Sequence, residues 1–149
     1  MGLLDLFKFG KKRTEMTHPV FGRMVYQDHG VWEFGRFHFA PLGLEVEALI
    51  EAGPEGPNER HVAFVADLAT HWSELMKACD PILRGALAEW IEKADEGDIF
   101  LRLKVESLDV FSDMAPDREW ELMFWCEEAG HWPVIRLVGW KPTEASIDG

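Results

Sequence analysis

Serine is scarce in this chain: Ser73, Ser107, Ser112 and Ser146 are the only four among 149 residues. None lies in a G-x-S-x-G turn, so the nucleophile elbow of a hydrolase is missing. Cysteine is scarcer still. Cys79 and Cys126 lack the C-x-x-C spacing of zinc and redox sites, and two thiols do not make a disulfide framework. The glycine in FGRMVYQ follows neither the Walker nor the dinucleotide-binding spacing, which removes two common phosphate cradles. No apolar run approaches the ~20 residues that cross a bilayer as a helix. Cations are few as well: 15 Lys and Arg against 27 Asp and Glu leave a formal net charge of −12. A field of that sign repels phosphate backbones and disfavours nucleic acid as a partner.

What is present is apolar and aromatic. A hydrophobic content of 47% with 12% aromatic residues supplies a packed core and excludes global disorder. The length suits one domain. Near the start, apolar residues precede a basic cluster, the reverse of the secretory order, and together with reduced thiols this points to a cytoplasmic protein. Charge is uneven. Residues 1–13 hold Lys8, Lys11, Lys12 and Arg13 against Asp5 alone, a local +3, so the rest carries −15. Such a body favours a protein partner with a basic surface. In MGLLDLFKFGKKR, Leu3, Leu4, Leu6, Phe7 and Phe9 ahead of the basic run suggest a helix lying on an anionic membrane. Two turns before Gly10 are marginal in water, however, and Leu6 occupies the Ser/Thr position of the myristoylation pattern. Docking of this segment on its own domain is the favoured expectation, and membrane contact through residues 3–13 the lesser one. The chain thus divides into an amphipathic, basic segment (1–17), one domain (18–142) and a tail (143–149).

Periodicity sets the expected fold. VFGRMVYQ and VWEFGRFHF flank DHG as a β-hairpin. In LGLEVEALIEA, Leu44, Val46, Ala48 and Ile50 alternate with Glu45, Glu47, Leu49 and Glu51, the period of a half-buried strand. The period changes at Asn58, a competent N-cap. Val62, Val65, Ala69, Trp72, Met76 and Cys79 make one helical stripe, and Asp80–Pro81 reads as the break before a second helix with Leu83, Leu87, Trp90, Ile91 and Ala94. Alternation resumes in IFLRLKVESLDVF, REWELMFWCEE and PVIRLVGW. Expected strands are therefore 20–27, 31–39, 44–51, 99–110, 119–127 and 134–140, with helices at 58–78 and 81–95. The fold class is α+β: a largely antiparallel sheet in the order βββ–αα–βββ, with a helical hairpin packed on it.

Candidate sites follow from the same pattern. On the 119–127 strand, Trp120, Leu122, Phe124 and Cys126 face the core with Trp72 and Trp90. Trp125 faces carboxylates, and with Trp132, His131, Glu127 and Glu128 it forms a candidate partner-binding patch. Asp67, His71 and Glu74 sit at i, i+4 and i+7 on the first helix, a spacing that could present three metal ligands but also suits a solvated face. His131 beside Glu127 and Glu128 has the makings of a tuned acid–base group. Asp109, Asp113, Asp117, Glu119 and Glu121 do not follow the calcium-loop pattern. No cofactor is expected.

HPVFGRMVYQDHGVWEFGRFHF, ALAEWIEK and FWCEEAGH resemble segments of small bacterial domains of unknown function, in which an aromatic hairpin precedes two helices and a closing meander. The resemblance spans about residues 18–140, implies this fold and carries no catalytic residue. Some such domains resemble immunity proteins encoded beside toxins. The expected function is a non-catalytic, acidic protein-binding domain, immunity- or adaptor-like, with a basic partner. The alternatives are a small-molecule binder or small enzyme using a cleft between sheet and helices, and a peripheral membrane adaptor.

Overall fold

A computed structural model of the chain describes residues 14–27, 30–34, 36–110 and 119–149. The N-terminal amphipathic segment up to residue 13, Asp113 and Asp117, the SDMAPD turn and part of the DHG turn lie outside the described residues. Among the described residues the chain forms nine strands and a single α-helix. The strands are β1 (Glu15–His18), β2 (Gly22–Tyr26), β3 (Val31–Phe34), β4 (Phe37–Phe39), β5 (Leu44–Glu51), β6 (Lys104–Val110), β7 (Glu119–Trp125), β8 (Trp132–Val138) and β9 (Lys141–Asp148). The helix, α1, is Glu59–Leu87.

The strands form one sheet in the order β1-β2-β3-β5-β6-β7-β8-β9, with β4 pairing on β5. All pairs are antiparallel except β5–β6, which α1 connects as a crossover must. The expected hairpin is β2–β3, with Val25 opposite Glu33. One ladder crosses the core face through Ala48, Leu108, Leu122, Ile135 and Ala145. The ladder next to it, on the other face, runs through Glu33, Leu49, Asp109, Glu121, Arg136 and Glu144. The alternation read from β5 and β7 therefore holds, with Val46, Ala48, Ile50, Trp120, Leu122 and Phe124 all buried.

The helical hairpin does not form. One helix of 29 residues runs through Pro81, and the reason lies in its buried stripe. Leu68, Trp72, Leu75, Cys79, Leu83 and Leu87 keep spacings of three and four across the proline, so the same face reaches the core before and after it. A proline inside a helix costs about 3 kcal/mol, while burying Leu83 and Leu87 completely contributes roughly 1.5–3 kcal/mol each. Pro81 itself lies on the exposed side, where water can solvate the carbonyl it leaves unpaired. At the start of α1, Asn58 caps as expected. Its side chain accepts from the backbone of Arg60 and His61, and His61 completes the box by accepting from the Asn58 N–H at 3.0 Å.

Residues 81–95 are thus helical only to Leu87, and turns follow. Arg84 gathers that stretch, binding Asp80 at 2.7 Å and donating to the carbonyls of Ala94, Glu96 and Gly97. The expected strand 99–110 opens with a 3-10 turn, Ile99–Arg102, because the Asp98 side chain accepts from the Phe100 N–H. Ile99 is buried and Leu101 is 85% exposed, so the alternation begins only at β6. The expected strand 31–39 is two strands, β3 and β4, that pair with successive parts of β5. The expected tail at 143–149 lies in the sheet as β9, and β1 occupies residues assigned to the N-terminal segment.

Candidate partner-binding surface

The β7–β8 turn brings the candidate residues to one end of the sheet. Trp125 at the end of β7 and Trp132 at the start of β8 face each other with ring centroids 4.7 Å apart. Trp132 is 38% exposed and Trp125 half-buried. The Trp125 indole N–H donates to Oε2 of the exposed Glu127 at 2.8 Å, which orients the ring. His131 belongs to the opposite side of the strand, where its backbone bridges to Cys126 and its ring lies 4.5 Å from Trp90.

Trp90 corrects an expectation. The helical stripe places it in the core, yet it is 44% exposed. Because α1 stops at Leu87, residue 90 no longer continues the helical stripe; its N–H bonds back to the Leu87 carbonyl in a turn, while Ile91 and Ala94 fill a second cluster with Leu87, Ile99 and Cys126. Trp72 and Trp120 are buried, as expected.

Glu128 is a tether. Arg102 donates to both its carboxylate oxygens at 2.7 Å and to the carbonyls of Lys93 and Glu92, so one guanidinium ties the 88–98 stretch to the β7–β8 turn. The Arg102 hydrogen bonds hold the Glu128 carboxyl below its ordinary value. Both arginines at this end are therefore committed. The surrounding carboxylates are not: Glu89, Glu92, Asp95 and Glu96 are exposed, and none makes an ion pair among the described residues. Lys93 is the one cation between them in sequence. Sequence reasoning missed this acidic loop, although its signal, five carboxylates within residues 89–98, is plain in the composition of that stretch.

The metal candidates separate. Asp67, His71 and Glu74 are exposed on α1 as expected, but the His71 ring stacks on Trp140 at 4.7 Å and Glu74 pairs with Lys77 at 3.2 Å. Among the described residues no group of three or more metal-ligating side chains converges. Both cysteines are free and buried, and burial pushes the Cys79 thiol up to about 12, which keeps it protonated and inert. No described helix is long and apolar enough to cross a membrane. Asp109, on the sheet face away from α1, is pushed up to about 6 by burial and by Glu121 and Glu51 beside it.

Comparison with protein-family models, with curated proteins and with solved structures finds no match to this chain.

Proposed function

We propose that this chain is a binding domain for a protein with a basic surface, and that contact is made at the end carrying Trp90, Trp125 and Trp132. The observation that carries the reading is that exposed tryptophans share this end of the sheet with exposed carboxylates that make no ion pair among the described residues. Trp90, through His131, and Trp132 lie at the β7–β8 turn, and Arg102 ties to that turn the stretch carrying the exposed Glu89, Glu92, Asp95 and Glu96, while Arg84 and Arg102 are turned inward to carbonyls and carboxylates. Exposed Trp is enriched at the energetic centres of interfaces. Its ring also attracts Arg and Lys side chains, worth about 0.5–1 kcal/mol at exposed sites. The carboxylates add long-range steering of a basic partner that salt screens. Glu128 contributes by holding the loop in place, and His131 by backing Trp90.

Photo-crosslinking from positions 90 and 132, with exposed position 45 as the control, tests this in the full chain. The expected result is a crosslinked protein with a basic surface, diminished at high salt and in Glu89→Gln/Glu92→Gln/Glu96→Gln. Crosslinks of equal yield from position 45, or a salt-independent acidic partner, would refute the reading.

A further inference from the structure

Between α1 and the β5–β6–β7 part of the sheet lies a cavity of about 170 Å³, walled by Leu42, Leu44, Trp72, Met76, Phe100 and Phe124 among others. The walls come from four parts of the chain, braced partly by one another and partly from outside the cavity. Trp72 is held edge-on by Phe39 at 5.0 Å, and Phe100 lies against Phe124 at 6.3 Å. Gly43, in the left-handed conformation at φ 62°, donates to the Phe39 and Ala40 carbonyls. It thereby holds the turn Ala40–Leu42, which forms one rim. The Leu103 N–H bonds to the Phe100 carbonyl and holds the other. These contacts hold Trp72, Phe100 and the two rims in place around the space.

We propose that this cavity is a binding site for a small aromatic or branched aliphatic molecule of roughly benzene to indole size. Volume and lining argue for that class. Enclosed apolar cavities of about 150 Å³ take up benzene or xenon; this one has a similar volume and an apolar lining but opens to solvent on one side, and the single charged residue at its wall is Lys104, which is exposed. A ligand with a polar group aimed inward would bury it without a partner, so a polar substituent is accepted only toward the rim. Met76, flexible and polarisable, gives one wall the adaptability to fit related shapes. The site is independent of the tryptophan surface and of what binds there.

Titration of the full-length, isotopically labelled chain with toluene tests the proposal by NMR. The expected result is a saturable shift of the Met76, Leu42, Leu103 and Val105 methyl signals, with a dissociation constant of about 1 mM or below. Met76→Phe, which fills the cavity, weakens binding at least about tenfold. Leu103→Phe, from the half-buried rim, serves the same purpose where Met76→Phe does not fold. Shifts that fail to saturate, that are as large at the Trp90 and Trp132 indoles, or that persist in the filling variants overturn the site.

Discussion

His61 is the one charged or polar side chain buried among the described residues, at 1% exposure, and its replacement tests how the helix is joined to the sheet. Its Nδ1 accepts from the Asn58 N–H at 3.0 Å, and its Nε2–H donates to the Glu51 carbonyl at 3.2 Å. The neutral ring therefore bridges the end of β5 to the first turn of α1. His61→Phe keeps most of the volume and removes both bonds. A lost hydrogen bond costs about 1–3 kcal/mol where its partner is buried, and both partners here are only partly buried, so the variant should lose about 2–4 kcal/mol, toward the lower end of the sum of two such bonds. The pH dependence is a second readout. Burial, and secondarily His18, lower the His61 pKa below 6.5 despite the Glu51 bond that raises it, and burial lowers that of His18 as well. A lowered folded pKa means that the folded state binds fewer protons than the unfolded one. The stability is then present above 6.5 and is lost as the pH falls through the lowered folded values. Urea unfolding followed by circular dichroism at about pH 7.5 and about pH 5.5 measures both effects. A loss below about 0.5 kcal/mol for His61→Phe, or an unchanged acid-side slope, would refute the bridge.

Asp109 works in the opposite direction: with its pKa raised from 3.8 to about 6, its contribution is present below 3.8 and lost as the pH rises through about 6. Two units correspond to about 3 kcal/mol, and partial solvation reduces this to about 1–2 kcal/mol. Asp109→Asn should therefore gain that much stability at about pH 7.5, gain nothing near pH 3.8, and steepen the acid-side loss caused by the histidines; equal stability at both pH values would contradict this. Trp120→Ala should cost about 3–5 kcal/mol and Trp90→Ala less than about 1 kcal/mol, and the reverse order in urea unfolding would place Trp90 back in the core. Arg102→Lys should speed amide hydrogen exchange in residues 88–98 nearly as much as Arg102→Ala, because one ammonium cannot reproduce a bidentate guanidinium. Full protection in Arg102→Lys would show that charge alone suffices.

How much of this was legible in the sequence depended on whether the deciding interaction was local. The alternation of β5 and β7 and the Asn58 cap were readable because period and capping chemistry reside in neighbouring residues. The helix through Pro81 was not, since a proline is a local break whereas the burial of Leu83 and Leu87 is a tertiary gain. β9 was hidden for a related reason. KPTEASID is polar with a proline, as befits an edge strand that pairs on one side only, and such a segment reads as a tail until β8 supplies its partner.

The site shows the same division. Trp125 was legible because strand alternation separates it from Trp120 and Phe124, and Trp132 because it stands in the turn that follows. Trp90 was lost because its placement depended on where α1 ends. Extending the helix to residue 95 puts Trp90 on the same side as Leu87 and Ile91, and ending it at Leu87 turns the ring outward. The carboxylates around Trp90 were the overlooked clue. Glu89, Glu92, Asp95 and Glu96 leave a helix at these positions little room for a wide apolar face, and charge of one sign within a few residues argues against a continuing helix. A tryptophan that the local charge pattern keeps from being fully buried retains its apolar area toward water. That retained area, beside carboxylates that outnumber the one lysine among them in sequence, is what a basic partner would cover.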